Sequence, residues 1–356
     1  MSGLPRLIEE APAAVEWVRE HTAIYAGRHM FGRIAASVIW SDSTSPDGEL
    51  LVPIDPHALA DDINANGFPL LKGHDPGYPL GRVVTAQVFV SADGSTFIAA
   101  IVGFYSGGIH PSFREFGFDP AVAPASPPSS LPALPGGCWI TLASDPREIE
   151  AAWIDDVLSS APLPVERVET SHNAAETLQE LIRLGLPYLA IVWNPYVKTI
   201  ATEAGKDTYA ALHQWFRGLL AKVAERHSPL VELKGSQGDC HVSFLFRGTD
   251  VERLYAAHEA LSPAAVQAAQ LIENMKKIGH APVVLVYEFK DEPKRWFPSY
   301  AELGDGTFVT DNNVLIAVEQ LPSGLSLGIT RSKNKPLLPA VKRADGGPIF
   351  PITEDE

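Results

Sequence analysis

The stretch "AVAPASPPSSLPALPGG", residues 121 to 137, limits this chain's folding more than any other. Proline has no backbone N–H and a fixed φ, so a run this dense can enter neither a helix interior nor a central strand. It is expected to be an extended, semi-rigid linker. The 356 residues therefore divide into two folding bodies, as chain length alone also favours. The boundaries expected from pattern are a helical segment at 1–25, a β-rich domain at 26–120, the linker at 121–137, an α/β domain at 138–340 and an acidic tail at 341–356.

Composition excludes several classes. Hydrophobic residues at 46% and charged residues at 20% describe a globular protein rather than a disordered one. A net charge of −15 argues against nucleic acid and anionic membrane as partners, since both need a Lys/Arg surface. The one basic cluster, "RSKNKPLLPAVKR" at 331–343, has the composition of a solvated tail. The two cysteines, Cys138 and Cys240, are far apart and lack metal-type spacing, which fits a reducing cytoplasm. The N-terminus carries acids where a signal peptide would be basic, and no apolar run reaches the ~20 residues of a membrane span. A cytoplasmic protein with no cofactor and no resident metal is expected. A protein or peptide partner fits this picture, and oligomerisation stays open.

In the first body, "RLIEEAPAAVEWVREH" has helical spacing with Pro12 as a break or first-turn residue. "FGRIAASVIWSD" has the composition of a strand. "DPHALADDINANG" carries a helix start at Asp55-Pro56 and a stop at Gly67. "RVVTAQVFVS" and "TFIAAIVGFYS" flank an Asp93-Gly94 turn and form a hairpin.

In the second body, "CWITLAS", "VERVET", "YLAIVWN" and "PVVLVYEF" read as strands. "LVELKGSQGDCHVSFLFRG" and "NVLIAVEQLPSGLSLGIT" read as hairpins. Helices are expected over "DPREIEAAWIDDVLSS", "NAAETLQELIRLG" and "KDTYAALHQWFRGLLAKVAERH". Another covers "DVERLYAAHEALSPAAVQAAQLIENMKKIG", with an interruption near Ser262-Pro263. From 188 to 289 the order is β-α-β-β-α-β, that of a ferredoxin-like core. The fold class is thus two-domain, α+β followed by α/β. The aromatic set Trp193, Trp215, Phe216, Phe244 and Phe246 falls at core positions. "KRWFPSY", with Trp296, Phe297 and Tyr300, is read as a loop packed on the sheet. His258 and His280 stand alone, without an i, i+4 ligand partner.

Two constellations could carry chemistry. A serine hydrolase needs a hydroxyl, a base in reach of it, a group orienting the base and N–H donors for the oxyanion. His74 in "LLKGHDPGYPLGRV" is the candidate base, with Asp75, His57, His110 and Glu115 as orienters. Ser112 and Ser106 are the candidate nucleophiles, near the amides of Gly107, Gly108 and Gly117. The succession of strand, helix, His-Asp-Pro turn, Pro-Leu-Gly and hairpin over residues 30 to 105 resembles the phage prohead (capsid maturation) serine protease family. That resemblance implies a catalytic role for His74, with Gly81 as the accompanying turn glycine. The family's Ser-Ile-Gly-Phe nucleophile string does not occur, so "PSFREFGF" and "GFYSGG" are its nearest counterparts.

The second constellation is Gly238-Asp239 in its hairpin. This resembles the central hairpin of class III nucleotide cyclases, whose aspartate helps hold the metals that activate a nucleoside triphosphate. The resemblance implies a nucleotide-binding role for Gly238 and Asp239. The first strand of that unit carries Asn194 where a second carboxylate would be needed. Two function classes follow: a serine hydrolase based on His74, or a binding, sensor or effector protein built on relics of catalytic folds.

Overall fold

The computed structural model describes residues 4–44, 47–50, 52–122, 134, 137–170, 179–192 and 206–317, together with the backbone of 330–331 and 336–337. The chain is mixed α and β, and its contacts separate it into two units. Of the described residues, the first comprises those up to His110 and those from Asn312 to Leu337, and the second those from Pro111 to Asp311. Most of the Pro-rich stretch, the basic cluster, the acidic tail, Trp193 and Asn194 lie outside the described residues.

The first unit begins with α1 (Leu4–Glu9) and α2 (Pro12–Ala26), and Pro12 occupies the opening position of α2. Strand β1 (Arg33–Ser41) follows, then α3 (Pro56–Asn66), β2 (Phe68–Leu71), β3 (Pro79–Val90) and β4 (Thr96–Phe104). Asp55 caps α3 by accepting the Ala58 amide at 2.8 Å, and Gly67 ends it with a φ of 65°. The strands form one antiparallel sheet in the order β1-β4-β3-β2. One face packs Leu59 and Ile63 of α3 against Val83, Ala100 and Val102. The other packs Ala14 and Trp17 of α2 against Val38, Phe97 and Ile101. Covered on both faces, β4 is buried at every position after its first, which explains its unbroken apolar composition.

The second unit contains β5 (Ile140–Ser144), α4 (Ala151–Leu158), β6 (Val165–Glu169), β7 (Glu180–Gly185), α5 (Tyr188–Val192) and α6 (Lys206–Ala224). It continues with β8 (Pro229–Gln237), β9 (Cys240–Arg247), α7 (Val251–Glu259), α8 (Leu261–Lys277), β10 (Pro282–Lys290), β11 (Arg295–Leu303) and β12 (Phe308–Val309). These strands make an eight-stranded mixed sheet in the order β12-β11-β10-β9-β8-β7-β5-β6. One continuous core joins α4, α6, α7 and α8 to a single face through residues such as Leu142, Ile182, Leu233, Phe244 and Tyr287.

Several expectations need correction. The stretch expected to be a helix ending at Gly185 contains β7, and Tyr188–Val192, the described part of "YLAIVWN", forms the short helix α5. Strand β7 is buried on both faces, so its apolar residues lose the alternation that marks a half-exposed strand. "KRWFPSY" belongs to β11, and Trp296 sits in the core with its Nε1 donating to the Ala257 carbonyl at 2.8 Å. Helix α4 begins at Ala151, because the buried Asp145 carboxylate holds Arg147 through its amide and guanidinium and makes a turn instead.

The β-α-β-β-α-β element order is present, starting at β7. A ferredoxin-like unit, however, splits each parallel pair with an intervening strand. Here β7 and β8 are immediate parallel neighbours, as are β9 and β10. Of the expected final hairpin, residues Asn313–Ile316 form a helical turn, α9; beyond it the backbones of β13 (Thr330–Arg331) and β14 (Pro336–Leu337) pair antiparallel. Among the described residues no helix is long and apolar enough to cross a membrane.

Candidate functional site

His74 ends a single 3-10 turn, Lys72–His74, between β2 and β3. Gly73 and His74 both have left-handed backbones, with φ of 57° and 62°. A β-carbon disfavours this conformation, so the surrounding turn must impose it on His74. That turn is closed by a backbone ladder: the Lys72 amide donates to the Tyr78 carbonyl at 2.9 Å, and Asp75 and Tyr78 close the inner rungs. The buried Asp75 carboxylate accepts the Gly77 amide at 2.8 Å, making an Asx-type turn.

Gly81 lies in β3 rather than in the turn. A Cβ there would stand 2.0 Å from the Gly103 carbonyl oxygen. Its role is close approach of two strands, so Gly81→Ala is expected to destabilise the first unit by about 1–3 kcal/mol in urea unfolding. An unchanged midpoint would contradict this packing.

The candidate nucleophiles fall in different units, Ser106 with His74 in the first and Ser112 in the second. The Ser106 hydroxyl donates to the Ala317 carbonyl at 2.5 Å, just past α9. Ser112 caps the 3-10 turn Phe113–Phe116: its hydroxyl accepts the Arg114 amide at 3.1 Å, and its own amide donates to Glu115 Oε1 at 2.8 Å. The three amides expected to face an oxyanion all meet carbonyls of the chain. Gly107 donates to Ile316, Gly108 to Tyr105 and Gly117 to Arg114. Among the other candidate orienters, His110 Nε2 donates to the Tyr105 carbonyl at 2.8 Å, and His57 is exposed on α3.

Gly238 and Asp239 form the two-residue turn joining β8 to β9, closed by the Gln237–Cys240 pair. Gly238 has a φ of 58°, which favours glycine there. The strand beside β8 is β7, which sets Arg183 beside Glu232 and its one acid, Glu180, beside Pro229 at the end away from this turn. Among the described residues no group of three His, Cys, Asp or Glu side chains gathers as a metal site would require.

A polar cluster that the sequence did not flag lies on the sheet face opposite the helices. Sheet register puts Thr141 beside Gly185, Gly185 beside Lys234 and Lys234 beside Ser243 in one row across β5, β7, β8 and β9. The adjoining row contains Ala143, Arg183, Glu232 and Leu245, and Ser236 pairs with His241 on the other side. Arg183 Nε donates to Glu232 Oε2 at 3.0 Å and the Ser243 hydroxyl to Glu232 Oε1 at 2.7 Å. The two charged side chains are 12% and 6% exposed. Burial pushes the Glu232 pKa up, but Lys234, Arg183 and the Ser243 hydroxyl outweigh it and hold the carboxyl below its usual range. His241, hydrogen-bonded to Ser236 at 3.0 Å, is pushed down to about 4, chiefly by burial and then by Lys234.

The signal for this cluster was the strict alternation of Glu232, Lys234 and Ser236 with Val231, Leu233 and Gly235. Its key cation was hidden because β7 resembled a helix.

Two buried histidines form a second polar group. His213 Nε2 donates to the Ala190 carbonyl at 2.8 Å, and its Nδ1 shares a 2.8 Å hydrogen bond with His258 Nε2. Burial first, then the neighbouring His213 and Arg217, keep His258 well below an ordinary imidazole pKa. With the Ser262 hydroxyl on the Val192 carbonyl and the Tyr188 hydroxyl on Ala265, the pair ties α5 to α6, α7 and α8. No family model matches the chain, and neither a curated protein nor a solved structure shows significant similarity to it.

Proposed function

We propose that this chain is a two-unit binding protein rather than a working serine hydrolase. In this view the first unit keeps the element order of a prohead protease without its chemistry. The second provides the ligand- or partner-binding body, in the manner of a sensor, effector or accessory protein. One observation supports it above others: the groups that hydrolysis would require are engaged by the chain's own backbone. Ser106 donates to Ala317, Ser112 caps a turn, and the amides of Gly107, Gly108 and Gly117 meet carbonyls. A hydroxyl that donates to a carbonyl has its proton committed there, and a spent amide cannot stabilise an oxyanion. The two buried free thiols accord with a reducing compartment.

The test is labelling with a fluorophosphonate probe of the full chain and of Ser106→Ala, Ser112→Ala and His74→Ala. Labelling at background in all four is the expected result. Wild-type labelling that disappears in one serine variant and in His74→Ala would establish the hydrolase instead.

A further inference from the structure

Arg183 has five N–H donors in a rigid fork, and only part of that fork is used. Its Nε meets Glu232, whereas its Nη1 is buried and has no acceptor. A buried donor without a partner is costly, and in native proteins it calls for a missing acceptor. A second such group lies nearby on the same face: the Thr141 hydroxyl is buried and has no hydrogen-bond partner. Register relates the two. Thr141 pairs with Gly185, and Arg183 lies two residues before Gly185 on the same face of β7. On the other flank of Gly185 stands Lys234, partly exposed and without an ion pair among the described residues.

Gly185 therefore stands in one row between Thr141 and Lys234, with Arg183 two residues away on the same face, so its three polar neighbours are all donors. It carries no side chain of its own. Charge leads to the same conclusion. Glu232 is already balanced by Arg183 and further satisfied by Ser243, so Lys234 adds one cation beyond what the acid neutralises. His241, the next basic side chain, is neutral and hydrogen-bonded to Ser236. Excess positive charge at the margin of a buried face, beside unused donors, is complementary to an anion with several acceptor oxygens.

We propose that the face of the second sheet over Gly185 binds a small oxyanion group, a carboxylate or phosphate, through Arg183 Nη1, Lys234 and Thr141. The group accepts from the guanidinium edge left vacant by Glu232, with Lys234 at the exposed side. This rests on the second unit being the binding body, and it can fail independently: fluorophosphonate labelling addresses the first proposal and leaves this site untouched.

The experiment is calorimetric titration of the full-length protein with acetate, citrate and inorganic phosphate at constant ionic strength. Variants are Lys234→Gln, Thr141→Val and, as a control on the same sheet, Lys290→Gln. Lys234 has no ion pair among the described residues to lose, and valine matches threonine in shape, so both variants are expected to keep the wild-type far-ultraviolet circular dichroism. Saturable binding of at least one anion with a Kd below about 1 mM is expected. Lys234→Gln should weaken it tenfold or more, Thr141→Val several-fold and Lys290→Gln not at all. Saturation by phosphate alone or by the carboxylates alone identifies the source of the oxyanion. Absence of saturation by all three anions, or equal affinity in Lys234→Gln and wild type, overturns the proposal.

Discussion

Arg183→Met is expected to cost the protein about 3–5 kcal/mol, because it leaves the Glu232 carboxylate charged and buried without the guanidinium hydrogen-bonded to it. The Ser243 hydroxyl at 2.7 Å remains, but one neutral donor does not replace a guanidinium. The double variant Arg183→Met, Glu232→Leu removes both charges and fills their volume with apolar atoms. It should recover most of the loss, as buried ion pairs replaced by apolar residues usually do. Urea unfolding of wild type, both single variants and the double variant gives the coupling directly. A single-variant loss below about 1 kcal/mol would mean that the pair is not effectively desolvated.

Acid should weaken the fold well above the usual carboxylate range. His241 titrates at about 4 in the folded chain against 6.5 for an unperturbed imidazole, with burial the main cause. Between those values the unfolded chain holds a proton that the folded chain does not. Stability is therefore present above about pH 6.5 and lost as pH falls toward 4. The shift corresponds to about 3 kcal/mol at its limit. His258, depressed in the same direction, adds to the loss. Glu232, held below its ordinary value, contributes stability that disappears only at still lower pH. Comparison of urea midpoints at pH 7 and 4.5 should show His241→Gln losing about 2 kcal/mol less than wild type over that interval. Identical losses would remove His241 from the account.

Much of the local architecture was legible before any coordinates. Asp55-Pro56 and Gly67 announced α3, Asp93-Gly94 the turn between β3 and β4, and Gly238-Asp239 the turn between β8 and β9. These signals are chemical and short-range: a cap, a proline at a helix start, a glycine at positive φ. The interruption near Ser262-Pro263 belongs to the same class, since α7 ends and α8 begins around Ala260. Where the pattern misled, burial on two faces was the cause. Strand β7 reads "ELIRLG", and with apolar residues facing both ways its period cannot be told from a helical one.

For the candidate site the division is sharper. Composition and turn chemistry determined by themselves that His74 sits in a tight turn and that Asp239 sits at a hairpin tip. Only the tertiary structure decided what surrounds the serines, because the Ala317 and Ile316 carbonyls that meet Ser106 and Gly107 come from more than two hundred residues away. The pairing of His213 with His258, and of Arg183 with Glu232, was equally out of reach of sequence reasoning. Caps and turns are settled between residues a few positions apart, and so they are written in the chain. A buried charge gets its partner from the register of neighbouring strands, which exists only once the sheet has formed.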